Sequence, residues 1–120
     1  MPKYDIEKPD ELDIRIVRAL VELGVPFAPC GFRYLRCMTR CISESPEEAE
    51  LVTKILYPRV AKKFKTKPTT MFSAAKRAIQ VAYRQNMQNM PADFYDEDGR
   101  PLVVSAFVKL LAQKIRDGEL

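Results

Sequence analysis

Histidine and tryptophan are absent from this sequence of 120 residues, and glycine occurs only four times. The lack of histidine removes the usual general base, the usual partner of a catalytic serine or cysteine, and the commonest metal ligand. The sequence also has no carboxylate pair placed for acid–base catalysis and no glycine-rich phosphate loop. We therefore expect a protein that is not an enzyme and that needs no cofactor.

Cysteine is scarce as well, with Cys30, Cys37 and Cys41 as the only three. An odd number of cysteines without features of secretion does not indicate a disulfide framework. Cys37 and Cys41 are four residues apart on a predicted helix, but a thiolate metal site needs about four ligands. We expect no metal site, and we expect the cysteines to be small buried side chains.

Long apolar runs are missing too. No segment approaches the ~20 apolar residues of a membrane span, and the charged N-terminal segment does not resemble a signal peptide. These absences predict a cytoplasmic protein. Domains have roughly 100–200 residues, so we expect residues 1–120 to form a single domain with a core of about 10–117.

Acidic residues are missing from the middle of the chain, although the net charge is only +4. Residues 51–92 contain nine basic residues and no acid, whereas residues 1–24 and 93–120 each contain four basic and six acidic residues. A concentrated basic surface is typical of proteins that bind a polyanion. The alternative is a solvated basic face whose counter-charges come from the flanking segments.

Apolar residues recur at helical spacing, and no segment shows the alternation of a strand. The pattern predicts an all-α fold of about six helices with a central helix-turn-helix. The first helix is expected between an N-cap at Asp10 and a stop at Gly24, and the third between an N-cap at Ser45 and about Leu56. The other helices are predicted around 32–42, over 59–64 after an interruption at Pro58, over about 68–85, and from Pro101 to about 115.

The predicted fourth and fifth helices are separated by about four residues, a spacing that favours a helix-turn-helix. One face of the fifth helix is apolar, and the other carries hydroxyl, amide and guanidinium groups without any acid. Such groups contact base edges and phosphates. The sequence therefore predicts a recognition helix over about 68–85 in the major groove of double-stranded DNA.

The predicted DNA-binding residues fall into three groups. Phosphate contacts are expected from the backbone N–H groups at the start of the recognition helix, near Thr69, and from the basic residues before it. These are Lys62, Lys63, Lys65 and Lys67. Side chains expected to face the major groove are Thr70, Ser73, Lys76, Arg77 and Gln80. Arg84 and Arg100 are expected to contact the DNA backbone.

The most specific motif of the chain is TKILYPRVAKKF, residues 53–64. It resembles the signature of the C-terminal effector domain of the master response regulator of sporulation initiation in endospore-forming Firmicutes. The resemblance covers about residues 12–117. Further similar stretches are Gly24–Pro26, Gly31–Arg36, Ala78–Tyr83 and Arg100–Arg116.

The resemblance implies a six-helix fold and transcription control through a short TGTCGAA-like box, often bound by a head-to-tail dimer. We expect a homodimer on DNA, and RNA polymerase as a further partner. The family's response regulator has an N-terminal receiver domain, and fewer than about a dozen residues precede the similar region here. We therefore expect either a stand-alone relative or an excised fragment.

Several positions depart from the family. The family has Arg, Glu and Arg where this chain has Thr70, Phe72 and Ser73, and an Arg-His pair where it has Lys76-Arg77. Because an arginine on guanine gives about 1–3 kcal/mol of discrimination, we expect the same docking mode with a changed or relaxed box. Residues 93–98 are acidic near where the family has lysine, which should weaken phosphate contacts there.

A protein-interaction module of the same fold that has lost specific DNA binding is the alternative function. In that case the acidic ends and an exposed Phe94-Tyr95 pair would form the binding surface. The two functions differ in the strength and salt dependence of DNA binding.

Overall fold

The computed structural model describes residues 10–27 and 30–120 of the chain. These residues form five α-helices, which confirms the all-α class and is close to the predicted number of about six. Within the described ranges there is no strand, only an isolated bridge between Tyr95 and Pro101. The elements are α1 (Glu11–Glu22), α2 (Gly31–Glu44), a 3₁₀-helix (Pro46–Leu51), a π-helix (Val52–Leu56), α3 (Tyr57–Lys63), α4 (Pro68–Gln85), a second 3₁₀-helix (Ala92–Phe94) and α5 (Val104–Arg116).

Helix α1 begins and ends where the sequence predicts. Asp10 is its N-cap, because the Asp10 side chain accepts a hydrogen bond of 2.9 Å from the Asp13 N–H and the Asp13 side chain accepts one from the Asp10 N–H. Gly24 follows the helix with a φ of +87°, a conformation that is costly for a residue with a Cβ atom. The Asp10 and Asp13 carboxylates bind the Arg40 guanidinium at 2.7 and 2.6 Å, which ties α1 to α2.

The predicted third helix is wrong in type. The segment is a 3₁₀-helix followed by a π-helix, and the Ser45 side chain does not cap it. The two parts meet at Leu51, whose φ of −121° and ψ of 29° lie outside the helical region. A continuous α-helix cannot pass through this residue. The side chains of Val52 and Leu56 in the π-helix are buried in the core.

The predicted interruption at Pro58 is also wrong. Pro58 lies in the first turn of α3, which begins at Tyr57 rather than at Arg59. A proline is tolerated there because the first N–H groups of a helix have no intrahelical acceptor.

The last helix begins at Val104 and not at the predicted Pro101. Pro101 pairs with Tyr95 instead, and the Leu102 N–H donates a hydrogen bond of 3.2 Å to the Tyr83 hydroxyl. These tertiary contacts keep the chain extended as far as Val103. Helical periodicity within the segment carries no information about them.

Helix α2 packs against α1, α4 and α5, so the core surrounds it. The expectation of buried cysteines is wrong for Cys30, which is exposed because it precedes the first turn of α2. Cys37 is buried and Cys41 is half-buried. Among the helices of the described residues, none combines the length and the apolar character needed to cross a membrane. Large side chains that are fully buried include Ile16, Leu20, Leu35, Met38, Leu56, Met71, Phe94, Phe107, Leu111 and Ile115.

Candidate nucleic-acid interface

Helices α3 and α4 and the four residues between them form the predicted helix-turn-helix. Helix α3 ends in a Schellman motif, in which the Lys65 N–H donates to the Lys62 carbonyl at 3.1 Å and the Thr66 N–H to the Ala61 carbonyl at 2.9 Å. Lys65 occupies the left-handed position of this motif with a φ of +55°. Glycine is the usual residue there, so a lysine at this position is unusual.

The turn is fixed against α2 through Phe64. The Phe64 ring meets Tyr34 edge-on with ring centroids 5.2 Å apart, and the Arg33 guanidinium lies over the Phe64 ring at 5.1 Å. Aromatic and cation–π contacts of this kind favour one geometry of the turn. The orientation of α3 relative to α4 is therefore set by the core and not by the turn alone.

Helix α4 has the two faces that the sequence predicts. The apolar face is buried, except that Ala74 is only half-buried. The opposite stripe, in which residues follow each other at three- and four-residue steps, is exposed along its length. Its members are Thr70, Ser73, Arg77, Gln80 and Arg84.

All of the predicted DNA-binding residues are exposed, and most of them lie on the helix-turn-helix. Lys62 and Lys63 end α3, while Lys65 and Lys67 belong to the turn. Arg100 lies apart, in a turn between the second 3₁₀-helix and α5. The residues on α4 are Thr69, Thr70, Ser73, Lys76, Arg77, Gln80 and Arg84.

The basic surface is only slightly neutralised. Arg59 on α3 forms an ion pair of 2.6 Å with Glu48, so its charge is compensated by the preceding 3₁₀-helix. Six of the other cations form no ion pair with any residue in the described ranges 10–27 and 30–120. These are Lys62, Lys65, Lys67, Lys76, Arg77 and Arg84.

The thiols of Cys37 and Cys41 lie on α2, and Cys41 is close to Lys63 at the C-terminal end of α3. The pKa of Cys41 is lowered to about 7, chiefly by a hydrogen bond from Cys37 and further by the positive charge of Lys63. Burial works in the opposite direction but is outweighed. This thiol faces the helix-turn-helix from α2. The main cause of its low pKa lies within α2 itself, because Cys37 is four residues before Cys41 on the same helix, and only the smaller effect of Lys63 comes from α3.

The surface expected for a protein-interaction module is not formed as predicted. Phe94 is fully buried, and it packs on Phe107 with ring centroids 5.2 Å apart. Tyr95 is half-buried, and its ring meets Tyr83 edge-on at 5.3 Å. The second 3₁₀-helix directs the Phe94 side chain into the core. The acidic residues around Phe94 in the sequence give no indication of this burial.

Sequence reasoning missed an apolar groove beside α4. The groove has a volume of about 640 Å³ and lies between α4 and residues 95–104. Phe72, 36% exposed, lies at its edge and also contacts the Tyr57 ring at 5.8 Å. The available sequence signal was Met87, an isolated apolar residue in the polar run 84–89, whereas Val103 is flanked by Leu102 and Val104 and gave no such signal.

The comparison with protein families agrees with this architecture. The family model described as sporulation initiation factor Spo0A C terminal matches residues 16–115, which is most of the chain. The matched region contains all five α-helices apart from the ends of α1 and α5. The chain therefore belongs to the Spo0A C-terminal family, a family of DNA-binding regulatory domains and not of enzymes.

Proposed function

We propose that this protein is a sequence-specific, double-stranded DNA-binding transcription regulator that acts in the cytoplasm and inserts α4 into the major groove. The observation that carries the proposal is the exposed, acid-free stripe on the second helix of the helix-turn-helix. A stripe of this composition beside the exposed Lys62, Lys65 and Lys67 suits a groove lined by base edges and flanked by phosphates.

Phosphates are contacted first by the end of α3 and the turn. Lys62, Lys63, Lys65 and Lys67 supply four positive charges within six residues of chain. Helix α4 begins at Pro68 without a side-chain cap. The uncapped N–H groups near Thr69 and Thr70 are donors for a phosphate oxygen, and the helix dipole favours a negative charge there.

Lysine in the left-handed position of the Schellman motif supports this role. Helices α1 and α5 end in the same hydrogen-bonding pattern with glycine at that position. A lysine in this conformation is less stable than a glycine, but it adds a positive charge to the turn. The charge of Lys65 favours the C-terminal end of the α3 dipole and is also available to a phosphate.

Base contacts are assigned to the middle of α4. Ser73, Arg77 and Gln80 lie on the exposed stripe, with Thr70 at its start and Lys76 beside it. Arg84 and Arg100 are assigned to the DNA backbone at the other end of the interface. Because Thr70 and Ser73 replace arginines of the family, the box is expected to differ from the TGTCGAA-like sequence.

Two protein partners belong to this proposal, of which the head-to-tail dimer follows from the family resemblance. We propose that a second copy binds adjacent DNA head-to-tail and that RNA polymerase contacts the DNA-bound protein. A duplex with two boxes should then be bound with cooperativity that a single box does not show.

Selection from a pool of randomised duplexes tests the proposal. Bound duplexes are sequenced after several rounds, and fluorescence anisotropy is measured on the enriched duplex and on a scrambled one at two salt concentrations. We expect one enriched motif and a salt slope of about −5, because five or six phosphates are neutralised at about 0.9 per contact. Weak binding without enrichment at physiological salt would overturn the proposal and favour the protein-interaction module.

A further inference from the structure

The groove beside α4 has the size of a ligand site. Its volume of about 640 Å³ lies within the range of about 300–1,000 Å³ that small-molecule pockets occupy. The floor is formed by buried apolar side chains, among them Ile79, Tyr83 and Val104. A pocket with such a floor accommodates an apolar group away from water.

Three large apolar side chains on its rim remain exposed. Val103 is 68% exposed, Met87 is 67% exposed and Phe72 is 36% exposed. Clustered exposed apolar groups around one concavity mark a binding site more strongly than single exposed residues do. A ligand tail in the groove would cover part of this apolar rim.

The wall opposite α4 is already ordered. Burial raises the pKa of Tyr83 to about 12, so its hydroxyl stays protonated and donates a hydrogen bond to the Phe94 carbonyl. The same hydroxyl accepts a hydrogen bond from the Leu102 N–H. The Asp96 carboxylate accepts hydrogen bonds of 2.9 Å from the N–H groups of Asp98 and Arg100.

The charged groups of the lining are all of one sign. Lys76 and Arg84 on α4 are cationic, and Gln80 lies between them. Among residues 10–27 and 30–120, no acidic side chain lines the groove, although Asp96, Glu97 and Asp98 lie in the adjoining turn. Neither cation is held in an ion pair with a described residue. An apolar pocket whose only charges are positive complements an anion that carries an apolar tail.

We propose that this groove binds a small amphipathic carboxylate, with its tail on Ile79, Tyr83 and Val104 and its carboxylate on Lys76 and Arg84. Bidentate binding of a carboxylate is a particular strength of arginine. Lys76, Gln80 and Arg84 are also among the residues assigned to DNA, so a bound ligand competes with DNA. Only this competition rests on the proposed DNA-binding function, since ligand binding itself does not require DNA.

The test uses decanoate, below its micelle concentration, as the probe. Binding to the whole chain is measured by calorimetry and by amide chemical shifts in the absence of DNA. Butyrate has the same head without the tail, and decyltrimethylammonium has the same tail with the opposite charge. We expect saturable binding of decanoate alone, with the shifted amides in α4 and in residues 95–104.

Variants separate the head and tail contacts. Replacing Lys76 and Arg84 together by methionine should weaken decanoate binding about tenfold or more, as the loss of charge-assisted hydrogen bonds predicts. Val103→Glu should weaken it similarly by placing a like charge at the rim. Lys109→Met and Leu51→Glu are matched controls outside the groove and should leave the affinity unchanged. Circular dichroism checks that each variant folds.

Several outcomes overturn the proposal. These are no saturable binding, equal binding of the cationic probe, or shifts that map away from the groove. Shifts of the same amides with protein concentration alone would assign the groove to a second copy of the chain. In a separate assay, decanoate should displace the selected duplex from the protein. Binding of decanoate without displacement of the duplex overturns the competition between ligand and DNA. Failure of the duplex to bind at all contradicts the proposed function but not ligand binding in the groove.

Discussion

Gly31, the first residue of α2, lies directly against Ala78 in the middle of α4. A Cβ atom on Gly31 would be 2.7 Å from the Ala78 Cβ and 2.5 Å from the Ala74 carbonyl oxygen. Real Cβ atoms essentially never approach that closely. The absence of a side chain at Gly31 therefore lets α2 and α4 cross in contact.

Gly31→Ala should destabilise the protein by about 1–3 kcal/mol, the usual cost of overpacking a core. The measurement is urea unfolding at neutral pH. Ala78→Gly removes one of the two clashes, so the double variant should be more stable than the sum of the single changes predicts. Additive effects would mean that Gly31 does not limit the approach of α2 to α4.

Arg77→Ala should cost about 1–3 kcal/mol of binding to the selected duplex and should relax the preference at one base position. Lys62→Ala should instead weaken binding to all duplexes evenly and reduce the salt slope by about one. Both are measured by anisotropy at several salt concentrations, with Lys109→Ala on α5 as the control. An even loss across sequences for Arg77→Ala would reassign Arg77 to phosphate.

Lys65→Gly should change stability and DNA affinity in opposite directions. The left-handed conformation costs residues other than glycine about 1–2 kcal/mol, and glycine removes this cost. Part of the gain in stability is lost because glycine has a greater conformational entropy in the unfolded chain. The unfolding free energy should rise, while DNA binding weakens because a charge is lost. Lys65→Ala provides the comparison, since it removes the charge and keeps the strain. Unchanged DNA affinity in both variants would remove Lys65 from the interface.

Arg40→Met should make the protein more sensitive to acid. Arg40 holds the pKa of the Asp10 carboxyl well below its usual value, with the N–H of Asp13 contributing. A carboxyl with a lowered folded-state pKa stabilises the fold above about pH 4, and this contribution is lost as the pH falls further. The acid midpoint, followed by circular dichroism, should therefore move to higher pH in the variant. Arg18→Met, an exposed change on α1, should leave the midpoint in place.

Cys41 should react with an alkylating reagent with a pH midpoint near 7, because the thiolate is the reactive form. The rate is measured by peptide mass spectrometry in a Cys30→Ser background. Cys37→Ala should raise the midpoint most, since it removes the main hydrogen bond to the thiolate. Lys63→Met should raise it less. A midpoint that neither change moves would show that Cys37 and Lys63 do not act on this thiol.

Local sequence signals predicted the start of α1 and the organisation of α4. The N-cap of Asp10 and the two faces of α4 depend on neighbours within a few residues, so periodicity and capping rules could predict them. The predicted interruption at Pro58 is wrong because a proline can begin a helix as well as break one. The left-handed Lys65 was not predicted, because the usual signal for that position is glycine.

Features built from distant parts of the chain could not be predicted in this way. The start of α5 depends on the Tyr83 hydroxyl, which lies on α4 and receives the Leu102 N–H. The groove combines α4 with residues 95–104, and neither segment alone has the pattern of a pocket. The burial of Phe94 likewise depends on Phe107 in α5.

The hydrogen bonds around Asp96 have a consequence for conformational entropy. Its N–H donates to the Arg100 carbonyl at 2.8 Å, its carbonyl accepts from Gly99 at 3.0 Å, and its carboxylate holds two further N–H groups. Ordering a residue costs about 1–2 kcal/mol, and for this turn that cost is met when the protein folds. A molecule that binds in the groove therefore meets a wall that is already ordered. Its binding free energy is not reduced by the entropic cost of ordering this turn.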